Sequence, residues 1–171
     1  QIPISHTPIM LFKDAQKINF YQNIRRQNIT SSLCSNDVTS IYTDSRGQTF
    51  VLTFTGGVNQ IVSRNLLTNN IQFKTYTRQN GLFSDLVLSM VEDPQRNLWV
   101  ISEDALSKFN AANGTFDNYD KRYLQKEVYF SEAIPVVWHG HLMLGTEGGV
   151  MEMNPALLSK SKYIPRIAFT G

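Results

Sequence analysis

Apolar residues along this chain fall in short runs separated by clusters of Gly, Pro, Asn, Asp and Ser. Between residues 86 and 120 the pattern is sharpest: LVLSMVED, the turn PQRN, LWVISE, a short turn at Asp104, LSKFN, the turn AANG and TFDNYD. Apolar runs of this length, rich in Val, Ile, Phe and Tyr and bounded by turn residues, predict four strands joined by tight connections. Leu98-Trp99-Val100-Ile101 is apolar at every position. A strand half-exposed in a sandwich would alternate, so this strand is expected to be covered on both faces, as in sheets stacked around an axis.

The pattern repeats. Leu33, Ser35, Asn36, Val38, Ser40, Ile41, Asp44, Phe50, Val51 and Thr53 recur at a constant offset of 49 as Leu82, Ser84, Asp85, Val87, Ser89, Met90, Asp93, Trp99, Val100 and Ser102. After a one-residue deletion Gly57, Val58 and Ile61 match Ala105, Leu106 and Phe109, and FKTY then matches FDNY. A third copy places Leu142, Met143, Leu144, Thr146, Gly149 and Val150 on Leu98, Trp99, Val100, Ser102, Ala105 and Leu106, at an offset of 44 and with a degenerate first strand. Upstream, Ile9, Phe12 and Phe20 fall where Leu106, Phe109 and Phe116 sit, so a preceding unit is expected to contribute its latter half.

Four short strands per unit define a propeller blade. The expected fold is all-β, a partial β-propeller of about three and a half four-stranded blades. Its units are residues 1–30 (half blade plus linker), 31–80, 81–125, the degenerate 126–160, and a linker over 161–171. A helical solenoid needs apolar spacing of three and four over about 10 residues or more. That spacing is absent, and Gly56-Gly57, Asn113-Gly114 and Gly148-Gly149 interrupt the chain too often.

Composition narrows the function. The 16 basic and 14 acidic residues are scattered and leave a net charge of +2, so no concentrated positive field exists to hold a phosphate backbone, and nucleic-acid binding is not expected. The single cysteine, Cys34, excludes an intrachain disulfide and a cysteine zinc site. The longest apolar runs fall well short of the roughly 20 residues that cross a bilayer, and the N-terminal residues show no signal-peptide pattern, so no membrane contact is expected in this segment.

The candidate chemistry is sparse, and no cofactor or metal is expected. Glu92-Asp93 and Glu103-Asp104 are the best case for a glycosidase carboxylate pair. Neighbours on a strand point to opposite faces, and Asp93 repeats Asp44 at a turn entrance, where a bond to backbone N–H is the ordinary role. His139 and His141 are placed on one strand face beside Trp138 and would offer two imidazoles, but no third ligand stands near and WHGH reads as a hairpin bend around Gly140. The sequons Asn28-Ile29-Thr30 and Asn113-Gly114-Thr115 carry no functional reading, and the second lies on a predicted tight turn. The glycine pairs are blade turns rather than phosphate loops, because no Lys-Ser or Lys-Thr follows them.

Three stretches, LCSNDVTSIYTDSRGQTFVLTFTGGV, GLFSDLVLSMVEDPQRNLWVISEDALSKFNAANGTFDNY and GHLMLGTEGGVMEMNP, resemble the two-component regulator propeller repeats. These repeats occur in the periplasmic sensor region of Bacteroides-type hybrid two-component sensor histidine kinases. The resemblance implies a non-catalytic, periplasmic sensing segment of an inner-membrane-anchored sensor. It further implies detection of glycan or oligosaccharide fragments, a kinase outside this chain, and an immunoglobulin-like domain after KYIPRIAFTG. The sequence departs from the pattern at Ser102 and Ala105, where Thr and Gly are usual, and the third copy lacks an Asp equivalent to Asp44 and Asp93.

In a propeller the blade-to-blade loops and the second-to-third strand turns share one face. Gln79, Asn80, Phe83, Glu103, Asp104 and Tyr123 are the ligand-binding candidates on that face, since sugars are held by planar polar groups and aromatic platforms. A propeller used purely as a protein-interaction scaffold is the alternative. Incomplete rings leave open blade edges and faces, near Ile9 to Tyr21 and at Met143, Val150 and Met153, so self-association is expected.

Overall fold

The computed structural model describes residues 19–158. Three antiparallel sheets follow one another along the chain, each built from strands adjacent in sequence. The first contains β1 (Val38–Thr43), β2 (Thr49–Thr53), β3 (Gly57–Ile61) and β4 (Phe73–Tyr76); the second contains β5 (Ser89–Glu92), β6 (Leu98–Ile101), β7 (Leu106–Asn110) and β8 (Thr115–Tyr119). The third holds β9 (Val136–Trp138), β10 (His141–Thr146) and β11 (Gly149–Met153). Among the described residues helix is confined to one turn of α1 (Lys121–Leu124) and two short 3-10 turns.

The turns explain why the units keep their spacing. Asp44 Oδ1 accepts from the backbone N–H of Arg46 at 2.9 Å and of Gln48 at 2.7 Å, and Asp93 Oδ1 accepts from Gln95 at 2.9 Å and Asn97 at 2.8 Å. Each carboxylate thus organises the hairpin that opens its sheet, as the repeat predicted. In the third sheet this loop is replaced by two residues, His139 (φ 47°) and Gly140 (φ 84°), between the paired Trp138 and His141. Two left-handed residues make the type I′ turn that suits a two-residue hairpin. Losing the longer loop is what shortens the repeat there.

Stacking buries both faces of the middle sheet. Leu98 and Val100 join Phe50, Leu52, Tyr76, Phe109 and Phe116 in one cluster between the first and second sheets, while Trp99 and Ile101 join Leu106, Tyr119, Leu142 and Leu144 in another between the second and third. Alternate side chains of β6 therefore point to different neighbours, and all four are at most 2% exposed. Polar contacts fix the first sheet on the second: Ser45 donates from its backbone N–H and hydroxyl to Glu92 at 2.8 and 2.9 Å, and Glu92 N–H donates to Tyr42 Oη at 2.9 Å.

Residues 19–37 contain no strand and run as a strap beside the first sheet. Asn23 Oδ1 accepts from Ile71 N–H at 2.8 Å, Ser31 C=O accepts from Phe73 N–H at 2.8 Å, and Leu33 packs with Val51 and Phe73. Phe20, expected in a strand of a preceding unit, is 88% exposed and in no strand. The rest of that half unit, with Ile9 and Phe12, and the linker at 161–171 lie outside the described residues. The final sheet differs from the expected four strands in having three among the described residues.

On the third sheet, Val136, Met143 and Glu152 share a face with the pairs Trp138/His141 and Gly145/Val150, opposite to Leu142 and Leu144. Among the described residues this face has no sheet against it, and Trp138 and Val150 are 56% and 71% exposed. Met153 pairs with Leu142 and therefore points back to the second sheet, not to the open face as expected.

Candidate functional site

The loop face that the repeat selected does form. The β6–β7 turn meets the segment leading to the third sheet through Phe130 N–H on Glu103 C=O at 2.7 Å, and the β2–β3 turn meets the β4–β5 connection through Gly57 N–H on Asp85 C=O at 2.9 Å. Blade-to-blade connections and second-to-third strand turns are thus neighbours on one side of the molecule.

The candidate residues occupy three parts of this face. Gln79 and Asn80 are exposed in a 3-10 turn, and the Asn80 carboxamide closes a capping box by accepting from Thr77 N–H at 3.0 Å, which ties its oxygen to the backbone. Phe83 is half-buried in the connection that follows. Glu103 and Asp104 are exposed at the β6–β7 tip, where together with Glu127 they raise the pKa of the Tyr129 hydroxyl, Glu127 having the largest effect. Tyr123 projects from α1 with its ring 5.7 Å from that of Tyr119. Asp120 caps α1 and is held below its ordinary pKa by the Arg122 guanidinium. None of the six candidates lines any of four well-formed cavities among the described residues.

The other chemical candidates resolve into structure. Glu92 holds the Ser45 turn and Asp93 its own hairpin plus the Trp99 indole, so this carboxylate pair is committed to backbone and core. His139 lies in the hairpin turn rather than on a strand face with His141, and His141 Nδ1 instead meets Glu152 Oε1 at 2.6 Å. Among the described residues no three His, Cys, Asp or Glu side chains converge as metal ligands.

The largest of these cavities, about 620 Å³, lies at the innermost strands and opens on the loop face. It is lined by residues 37–42 and Phe54 of the first unit, 88–90 of the second and Glu132, Ile134 and Pro135 before β9. Phe54 apart, these are equivalent stretches of three successive units, as one local bond shows. Ser35 Oγ accepts from Asp37 N–H at 3.3 Å, Ser84 Oγ from Leu86 N–H at 3.1 Å, and Ser131 Oγ from Ala133 N–H at 3.4 Å. The serines stand 49 and 47 residues apart. That second offset was present in the sequence, but the shortened hairpin hid it behind the offset of 44. Sequence reasoning passed over the cavity because about half of its lining comes from strands, β1 and the start of β5, and not from the loops.

A stack of such sheets whose first strands surround a common cavity is a segment of a β-propeller. No family model and no curated protein matches the chain. Solved structures do. The extracellular domain of a hybrid two component system from B. thetaiotaomicron superposes with a TM-score of 0.62 at 24% identity, over 72% of this chain and 16% of that one. The extracellular domain of another such system from the same organism gives 0.64 at 24% identity, over 82% and 19% of the two chains. A further structure of that second domain, described as belonging to a one component system, gives 0.62 at 23% identity over 81% and 19%. The chain thus spans less than a fifth of each neighbour, and at these identities the likeness is one of fold. It falls on the group of proteins that the repeats resemble.

Proposed function

We propose that this chain is a non-catalytic ligand-sensing segment of the periplasmic propeller region of a hybrid two-component sensor histidine kinase. It detects glycan or oligosaccharide fragments and passes the signal to a kinase outside this chain. The observation that carries this reading is the fold likeness to extracellular domains of hybrid two component systems over 72% and 82% of the chain. The absence of any helix among the described residues long and apolar enough to cross a membrane agrees with a segment lying outside the bilayer. Gln79, Asn80, Phe83, Glu103, Asp104 and Tyr123 are the loop-face contacts proposed for the ligand. The exposed Val136, Trp138 and Val150 surface favours a second reading, a protein-interaction scaffold.

Glycan-array binding by the extracellular region that contains this chain tests the proposal. Binding of a defined set of oligosaccharides, unaltered on incubation and weakened by Tyr123→Ala or Glu103→Gln, is the expected result. Turnover of the sugar that disappears in Glu103→Gln would make the segment an enzyme. A silent array alongside capture of a protein through the Trp138 face would make it a scaffold.

A further inference from the structure

We infer that a ligand held at the loop face also enters the inner-strand cleft, and that this cleft selects neutral or amino-bearing glycans over uronates and sulfated sugars. This rests on the sensing reading above. The cleft is a cavity of about 620 Å³, within the range that holds small ligands. Among the described residues its only charged lining groups are the carboxylates of Asp37 and Glu132, both on exposed residues. Carboxylates accept hydrogen bonds from sugar hydroxyls or from an ammonium group, and repel a second anion brought into the same cleft. Ser40 and Ser89 add hydroxyls from equivalent positions of two units, and Phe54, 37% exposed, offers a ring for the C–H face of a pyranose. Ile134, 85% exposed, extends the apolar wall at the mouth. Three successive units supply equivalent segments to the lining, so the cleft presents both acceptors and apolar groups from more than one unit, which suits a repeating sugar chain.

Calorimetric titration of the extracellular region containing this chain with matched neutral, amino-bearing and uronate oligosaccharides tests the inference. Neutral or amino-bearing members should bind at least tenfold more tightly than uronates. Phe54→Ala should weaken binding tenfold or more, and Asp37→Asn with Glu132→Gln should narrow the discrimination against uronates at unchanged thermal midpoint. Glu132 is exposed, so its substitution does not depend on repacking. If binding survives these variants but is lost in Gln79→Ala and Tyr123→Ala, the ligand does not enter the cleft and the sensing reading stands. Tighter binding of uronates overturns the selectivity, and failure of every sugar class to bind overturns both readings.

Discussion

The indole Nε1 of Trp99 donates to Oδ2 of Asp93 at 2.8 Å, joining the largest fully buried side chain of the middle sheet to the carboxylate that shapes its hairpin. The opposite oxygen of the same carboxylate receives the backbone N–H groups of Gln95 and Asn97. Core and turn are therefore one unit. Trp99→Ala should lower stability by about 3–5 kcal/mol through the cavity it leaves, and Trp99→Phe by about 1–3 kcal/mol because Asp93 loses a buried donor. Urea unfolding measures both; an unchanged midpoint for the alanine variant would contradict the burial.

Gly47 (φ 78°) and Arg96 (φ 63°) occupy the same place in the first two hairpins, 49 residues apart. A side chain in the left-handed region costs about 1 kcal/mol, and Gly47→Ala, which meets no steric obstacle, should cost about that much. Arg96→Gly should stabilise, by less than about 1 kcal/mol, since the glycine also loosens the unfolded chain. Opposite signs in thermal unfolding are the check; destabilisation by Arg96→Gly would show that the arginine side chain holds the first sheet.

Thr53 Oγ1 donates to Gly57 C=O at 3.1 Å, and the buried amide of Asn59 lies beside it, whereas Ser102 Oγ at the equivalent position is buried without a hydrogen-bond partner. Ser107 stands where Asn59 does and turns to Asn118 instead, at 2.7 Å. Ser102→Ala should thus stabilise by about 1 kcal/mol, while Thr53→Ala destabilises by about as much. Chemical denaturation of the two variants would show any departure from that opposition.

Burial, followed by the Glu92 and Asp44 carboxylates, raises the pKa of Tyr42 against the opposing bond from Glu92 N–H. The folded protein then favours the neutral phenol. Its contribution is complete below the ordinary tyrosine value of about 10 and is lost as pH rises from there through the raised folded value. Stability should fall with pH above about 10, and Tyr42→Phe should flatten that slope; an unchanged slope would assign the alkaline loss to another group.

The open face bearing Val136, Trp138, Met143 and Val150 corresponds to the face of the second sheet that the third one covers. A second copy can bury it, and the isolated chain is expected to self-associate in light scattering at micromolar concentration. Trp138→Glu with Val150→Glu should restore a monomer. A monodisperse monomer of the unaltered chain would show that this face is not a site of self-association.

Much of the architecture was legible in the residues themselves. A constant offset of 49 placed Asp44 with Asp93 and Phe50 with Trp99, and the fully apolar Leu98–Ile101 announced a strand covered twice. Such signals are local or periodic, so they survive without knowledge of what touches what. The pairing of β9 did not, because the two-residue turn at His139-Gly140 replaces a longer loop and breaks the offset on that side of the hairpin alone. Leu142 and Met153 keep the pairing of Leu98 with Phe109, so Met153 faces inward by alternation along its strand and Val150, three positions earlier, faces out. The inner cleft was likewise decided only by tertiary structure: residues near 37, 89 and 132 meet because three sheets share an axis, a distance in sequence that no local pattern records.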